Sequence, residues 1–272
     1  MRINHLRVFH TDWQEAVCYD MTEDLTIIHT HHADLVSYLL ERVLNHKPYS
    51  PLPCVAGGNT EITAGVTLYQ KQYQVRLAYE TEKDEFRLLA YDDAGKDVTA
   101  EYCYFSSHCQ EQDVAEVFDG KETGQELRFL RYVGADDFSC QELSKRTDGM
   151  SETSTFRAYC YRFIKNVSPE LIRKGKRYQI ALGGCGVYEV RFSGEGDAPV
   201  CLSESEQKIF GYLCFLQAAE FWHGFEEIRN IHGIKKPLLI KNFLEYLDES
   251  IETDAWMQRT MQLGRQVILL TK

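Results

Sequence analysis

Few side-chain groupings in this 272-residue sequence have the type and spacing that chemistry needs. His29, His31 and His32 crowd one short stretch after Leu25-Thr26-Ile27-Ile28, and alternation sets His29 and His31 on one side. Imidazoles can ligate zinc, but a zinc site needs further His, Cys or carboxylate donors at a recognised spacing. None follows, so the stretch is expected to be a polar surface loop without a metal. Gly183-Gly184-Cys185-Gly186 falls between two strand-like runs and not ahead of a helix, which makes it a turn and not a dinucleotide loop. No Gly-x-Ser-x-Gly occurs, and no Cys/His pair has a context that singles out a nucleophile. Two stretches remain. Leu202-Ser203-Glu204-Ser205-Glu206-Gln207 has the hydroxyl and carboxylate of a capped helix start. Pro237 to Asp248 sends an apolar strand into the polar pair Lys241-Asn242 and ends in Leu247-Asp248.

Composition bounds what these residues can serve. The chain is 44% hydrophobic and 26% charged, an ordinary globular balance. No apolar run is long enough to cross a bilayer, and the first residues lack the apolar core of a signal peptide. Nine cysteines, an odd count without any Cys-x-x-Cys pair, are read as buried reduced thiols of a cytoplasmic protein. The net charge of −11 argues against a surface built for phosphate contacts, so nucleic acid is possible but unsupported. The densest basic cluster, residues 173–177, is expected to be a solvated turn.

The elements that would position the candidate residues follow from periodicity. Residues 3–8 and 16–19 read as two strands, and 25–28 as a short buried strand. Residues 35–45 repeat apolar side chains at helical spacing, and Pro48, Pro51 and Pro53 end that helix. Residues 66–79 and 85–91 alternate as antiparallel strands, with a turn at 92–95. Residues 113–118 suggest a short helix, 156–164 another, and 178–182 with 187–192 a hairpin. Ser203 caps a helix, Leu238-Leu239-Ile240 is a buried strand, a helix starts near Asp248, and residues 266–270 form a last strand. Alternating helices and apolar strands in this last third indicate a parallel sheet.

The two ends of the chain resemble the halves of a RecF/SMC-type ABC ATPase head, a P-loop NTPase class. In that class an opening strand pair leads to a strand, a phosphate loop and a helix. The other half supplies a signature helix, a Walker B strand, a D-loop and a last strand that bears a switch histidine. Leu202, Ser203, Glu206 and Gln207 match the signature Leu-Ser-Gly-Gly-Glu-Gln. Residues 237–248 resemble the Walker B strand running into a D-loop at Leu247-Asp248, and residues 266–272 resemble the strand before the histidine. The match covers about residues 1–48 and 201–272. The resemblance implies a two-lobed α/β head-like fold with a mixed central sheet, helices and an antiparallel β-lobe. It implies one head-like domain: 1–48 as the N-terminal half of its core, 55–200 as β-lobe and helical insert without a coiled-coil arm, and 201–272 as the second half. Both termini would then share one sheet. Cys109-Gln110 stands roughly where the family places its Q-loop.

Set against that pattern, the hydrolytic residues are replaced. A phosphate loop works through glycines that let N–H groups approach the phosphates, a Lys that neutralises them, and a Ser or Thr on Mg²⁺. In the degenerate phosphate loop, residues 29–38, Thr30 and Leu35 stand at the glycine positions and Val36 at the Lys position, while Ser37 keeps the Mg²⁺-ligand type. His29, His31 and His32 fill the rest of its start. Lys241 and Asn242 replace the Walker B Asp and catalytic Glu, which orient Mg²⁺ and polarise water, and Lys272 replaces the switch histidine. The resemblance therefore implies no catalytic residues, and neither ATP nor Mg²⁺ as a cofactor. It implies a pseudo-ATPase: an interaction or scaffold subunit that pairs with itself or with an intact ATPase head, its signature completing the partner's site. Two alternatives stay open. One is a divergent ATP binder in which Lys241 reaches the phosphates. The other is a DNA-linked accessory factor. A capped helix, with no role in nucleotide chemistry, also accounts for the signature residues.

Overall fold

The computed structural model describes residues 1–13, 16–45, 60–80, 82–83, 85–107, 117–121, 177–182, 188–194, 200–212, 215–216, 236–246, 260–261 and 265–272. The chain forms two compact units. The first combines residues 1–119 with 232–245 and 252–272; of the opening strands expected to share one sheet with the last strands, residues 25–29 do so, whereas residues 2–10 and 17–20 lie in a separate antiparallel sheet. The second holds residues 120–231 and 246–251.

In the first unit, alternating side chains build an antiparallel sheet. Its strands are β1 (Arg2–His10), β2 (Val17–Asp20), β4 (Thr60–Leu68), β5 (Lys71–Glu80) and β6 (Glu85–Tyr91), in the order β2-β1-β4-β5-β6. Ile3, Leu6 and Val8 of β1, Ile62, Ala64 and Val66 of β4, and Val75 and Leu77 of β5 point inward and are buried. The alternation read at 66–79 is broken by a tight turn. Tyr69 and Gln70 both take positive φ, 50° and 66°, as a two-residue hairpin turn requires.

The second sheet of this unit is parallel, in the order β3-β11-β10-β7. It comprises β3 (Leu25–His29), β7 (Val117–Asp119), β10 (Leu238–Lys241) and β11 (Val267–Thr271). β11 is buried along its whole length and β10 over all but its last residue, which is why these strands read as unbroken apolar runs. The helix α1 (Ala33–Asn45) packs on both sheets, with Val36, Leu39, Leu40, Val43 and Leu44 in the shared core. The helix α2 (Thr99–Ser107) follows β6. Its Tyr102 is buried and donates from its hydroxyl to the Val43 carbonyl of α1 at 2.6 Å.

Two expectations need correction, and one element is new. Residues 117–118 are not helical: Val117 and Phe118 lie in β7, paired in parallel with Leu239 and Ile240. Pairing with a buried strand overrides a local pattern too short to carry a period. α2 is an additional helix, hidden in the sequence because its aromatic residues surround it and form no apolar stripe. Cys103 is half-buried, but Cys18 and Cys201 are exposed; all three are free thiols. Cys18 is exposed because it sits on the outward side of β2, at the edge of the antiparallel sheet.

The second unit contains the predicted hairpin as β8 (Arg177–Leu182) and β9 (Tyr188–Ser193), antiparallel in register Arg177↔Ser193 to Leu182↔Tyr188. Residues 204–212 are helical, and Phe210 meets Phe192 of β9 edge-on at 5.4 Å. The expected helices at 156–164 and from Asp248, the glycine turn, the Cys109-Gln110 pair, Leu247-Asp248 and residues 173–176 lie outside the described residues. No helix among the described residues is long and apolar enough to cross a membrane.

Candidate functional site

Parallel pairing brings the carboxyl ends of four strands to one edge, where open α/β sheets hold their ligands. Thr271 of β11 stands beside His29 of β3, and Lys241 of β10 stands beside both Leu270 and Asp119. The Thr30 N–H donates to the Thr271 carbonyl at 2.7 Å, tying the loop after β3 to the last strand.

That loop is short. Only Thr30, His31 and His32 separate β3 from α1, because the helix starts at Ala33 and absorbs Leu35, Val36 and Ser37. The Val36 N–H donates to the His32 carbonyl at 3.0 Å, so an amide that a phosphate cradle would present is spent within the helix. Val36, which the sequence pattern set at the place of a phosphate-binding lysine, is 1% exposed and belongs to the core. Leu35 packs against the same core. Ser37 is buried, and its hydroxyl donates to Glu41 Oε1 at 3.2 Å, one helical turn away. His29, His31 and His32 are exposed, and His32 lies against Trp13 with ring centroids 4.6 Å apart. The histidines are not brought together as ligands: among the described residues no three His, Cys, Asp or Glu side chains form a metal-holding group.

Lys241 is the centre of the site. Its ammonium lies 3.1 Å from Asp34 Oδ1, at the start of α1, and 3.1 Å from Asp119 Oδ2, at the end of β7. The Lys241 and Asp119 side chains are mostly covered, at 18% and 13% exposure, whereas Asp34 is open at 62%. Burial alone would lower the pKa of the amine. The Asp119 carboxylate, and then Asp34, outweigh it and leave the pKa above the ordinary lysine value. Lys241 is therefore a fixed cation and not an amine nucleophile. Asn242 is fully buried with a left-handed backbone, φ 57°, which asparagine tolerates. Its Nδ2 donates to Asp119 Oδ1 at 3.0 Å, while its Oδ1 is buried with no hydrogen-bond partner among the described residues. Beside them, the Thr271 hydroxyl donates to Glu245 Oε1 at 3.2 Å, and the Lys272 backbone N–H donates to the same oxygen.

This arrangement is the head fold. A search of solved structures finds the SMC head bound to the C-winged helix domain of ScpA, with a TM-score of 0.60, 12% identity, and 99% of this chain and 89% of that one covered. The chain has the fold of an SMC head domain. The SMC head from Thermotoga maritima aligns over 100% of this chain and 89% of its own, with a TM-score of 0.51 and 12% identity. The Pyrococcus furiosus SMC head with an extended coiled coil, bound to the C-terminal domain of ScpA, aligns at a TM-score of 0.58 and 12% identity over 99% and 89%. No protein-family model matches the sequence. No curated protein matches it either.

In the second unit of the head, the signature-like residues form a capping box. The Glu206 N–H donates to Ser203 Oγ at 3.3 Å, and the Ser203 N–H donates to Glu206 Oε2 at 2.8 Å. Gln207 Nε2 donates to the Leu202 carbonyl at 3.1 Å, and Glu204 pairs with Lys208 at 3.0 Å. Asp34 and Asp119 are the site residues that sequence reasoning missed. Asp34 is 207 positions from Lys241, and nothing in linear spacing joins them. The lone signal was a lysine at a position where a carboxylate is expected, since a cation at a covered strand end needs an anion.

Proposed function

We propose that this chain is a pseudo-ATPase, a head-fold protein that neither binds nor hydrolyses ATP and serves in the cytoplasm as an interaction or scaffold subunit. The observation that carries this is the Lys241 ammonium held between Asp34 and Asp119. A nucleotide site at a helix N-terminus depends on spare donors and positive charge. Here the Lys241 ammonium is held by two carboxylates and is not a spare cation for a triphosphate. The short loop after β3 and the buried Val36 support the same reading. They also count against the divergent binder, since Lys241 would have to abandon two anions to reach a phosphate.

The partner is a protein: a second copy or an intact ATPase head. SMC heads of this fold have been solved with ScpA domains bound, which supports a protein-docking role for the fold. The signature residues are the part that would meet a partner's nucleotide, and the capping box explains them without that role. The deciding experiment is the melting temperature of the purified chain with and without millimolar Mg-ATP, alongside phosphate release. Ligand at a hundred times its dissociation constant adds about 2.7 kcal/mol of stability. An unchanged melting curve and no release are expected. A saturable upward shift would overturn the proposal and favour the divergent binder.

A further inference from the structure

Asp119 is followed directly by Gly120, one of two Asp-Gly pairs in the sequence, the other being Asp148-Gly149. Such a pair carries its own chemistry. The glycine nitrogen can attack the aspartyl Cγ and close a five-membered imide, and glycine has no side chain to stand in the way. The N–Cγ bond forms, a Cγ–O bond breaks, and the carboxyl hydroxyl leaves with the amide proton as water. Water then opens the ring at either carbonyl. One opening restores aspartate. The other yields isoaspartate, whose main chain runs through Cβ and Cγ. No oxidant or other reactant is consumed.

At Asp119 the fold opposes the first step. The two carboxylate oxygens are held separately: Oδ1 accepts from Asn242 Nδ2 at 3.0 Å, and Oδ2 lies 3.1 Å from the Lys241 ammonium. A carboxylate tethered at both oxygens cannot turn its Cγ toward the next amide, and the ion-paired form has no hydroxyl to expel. The backbone is held as well, because Asp119 ends β7 in parallel register with Lys241, behind Phe118 beside Ile240 and Val117 beside Leu239. Consecutive residues of a strand point to opposite sides. Asn242 departs from that alternation through its left-handed backbone, φ 57°, and so reaches the same carboxylate as Lys241. We infer that Asp119-Gly120 is a latent site of spontaneous isomerisation, and that Lys241 and Asn242 form the clamp that keeps it shut. Isoaspartate here would add one backbone atom to β7 at its pairing with β10 and withdraw the carboxylate from both partners. The inference stands on these contacts alone, so the ATP test neither supports nor removes it.

The test ages the full chain near neutral pH at body temperature as wild type, Lys241→Met, Asn242→Gly and Gln266→Ala, with wild type in urea as the open reference. Isoaspartate at Asp119 is followed by peptide mapping, which separates it from Asp148, and by enzymatic methylation of isoaspartyl carboxyls. In native wild type Asp119 is expected to stay intact while the urea sample accumulates isoaspartate. Lys241→Met and Asn242→Gly are expected to isomerise at least about tenfold faster than native wild type, because each loses a bond to a charged group and about 1.4 kcal/mol is tenfold in rate. Asn242→Gly tolerates the left-handed backbone and removes the amide, so it remains a test if Lys241→Met does not fold. Gln266→Ala loses its bonds to Ile3 and Thr22, at the other end of the pairing of β11 with β10. It is expected to age like wild type, which separates loss of the clamp from loss of stability. The inference is overturned if native wild type ages as fast as the urea sample, if either folded clamp variant ages no faster than wild type, or if Gln266→Ala ages as fast as they do.

Discussion

Gln266 hydrogen-bonds both backbone groups of Ile3 across 263 positions of sequence: its Oε1 accepts the Ile3 N–H at 2.8 Å and its Nε2 donates to the Ile3 carbonyl at 2.7 Å. The same Nε2 donates to the Thr22 carbonyl at 2.8 Å. One buried amide thus pairs the first strand of the antiparallel sheet with the approach to the last strand of the parallel one. Replacing Gln266 with Ala would leave these buried groups unpaired, and a loss of about 2–4 kcal/mol in urea unfolding is expected. Gln266→Glu should also destabilise at neutral pH, since a carboxylate can accept from Ile3 but cannot donate to the two carbonyls. Stability unchanged in both variants would show that the bridge contributes nothing.

Much of this scaffold could be read from residue patterns, and the reasons are local. β10 and β11 announce themselves because strands buried on both faces need unbroken apolar residues. Ser203 and Glu206 announce a helix start because the cap lies within one turn. The site was half legible. Lys241 and Asn242 stood out by their place after an apolar strand, but their partners Asp34 and Asp119 come from two other elements, which only the parallel register of β7 and β10 and the packing of α1 bring near. β7 itself is short and takes its conformation from the strand beside it.

The Lys241 pairs give stability a defined pH dependence. Lys241→Met removes the cation and leaves the covered Asp119 charged, with an expected loss at pH 7 of about 1–3 kcal/mol, discounted because Asp34 is exposed. The amine pKa is raised in the folded protein. The contribution is therefore whole below the unfolded lysine value of about 10.4 and is lost as pH climbs through the folded value. The gap between wild type and variant should stay constant from about pH 7 to 9 and close only above about pH 10.5. A gap already closed at pH 8 would mean that Lys241 is not a stabilising cation.

Ser203 separates a cap from a trans-acting signature. The capping geometry predicts that Ser203→Ala costs about 1 kcal/mol and that Ser203→Asp, an equally good cap, costs almost nothing. An aspartate at that place would repel a partner's γ-phosphate. If an ATPase head co-purifies with this chain, its turnover is expected to be the same with Ser203→Asp as with wild type. A drop of tenfold or more in that stable variant would assign Ser203 to the partner's active site.

Rebuilding the phosphate loop should fail, for a reason visible in α1. Thr30→Gly, Leu35→Gly and Val36→Lys together restore the residue types that a loop for phosphates requires. Yet Val36 is 1% exposed within the core, and α1 begins at Ala33, ahead of it. A lysine there would bury its charge or break the first turns of α1, and the glycine at 35 would weaken the same turns. The triple variant should therefore lose about 3 kcal/mol or more and still show no melting shift with Mg-ATP. Val36→Ala serves as the packing control and should lose less, because it removes methyl groups without burying charge. Adding Lys241→Asp would reverse the charge that lies between Asp34 and Asp119, so the four-fold variant should be less stable again. If the triple variant instead stays folded and binds nucleotide, the phosphate cradle is merely unoccupied by the right side chains. If it unfolds as expected, the cradle has been built over by a helix, and single reversions will not bring it back.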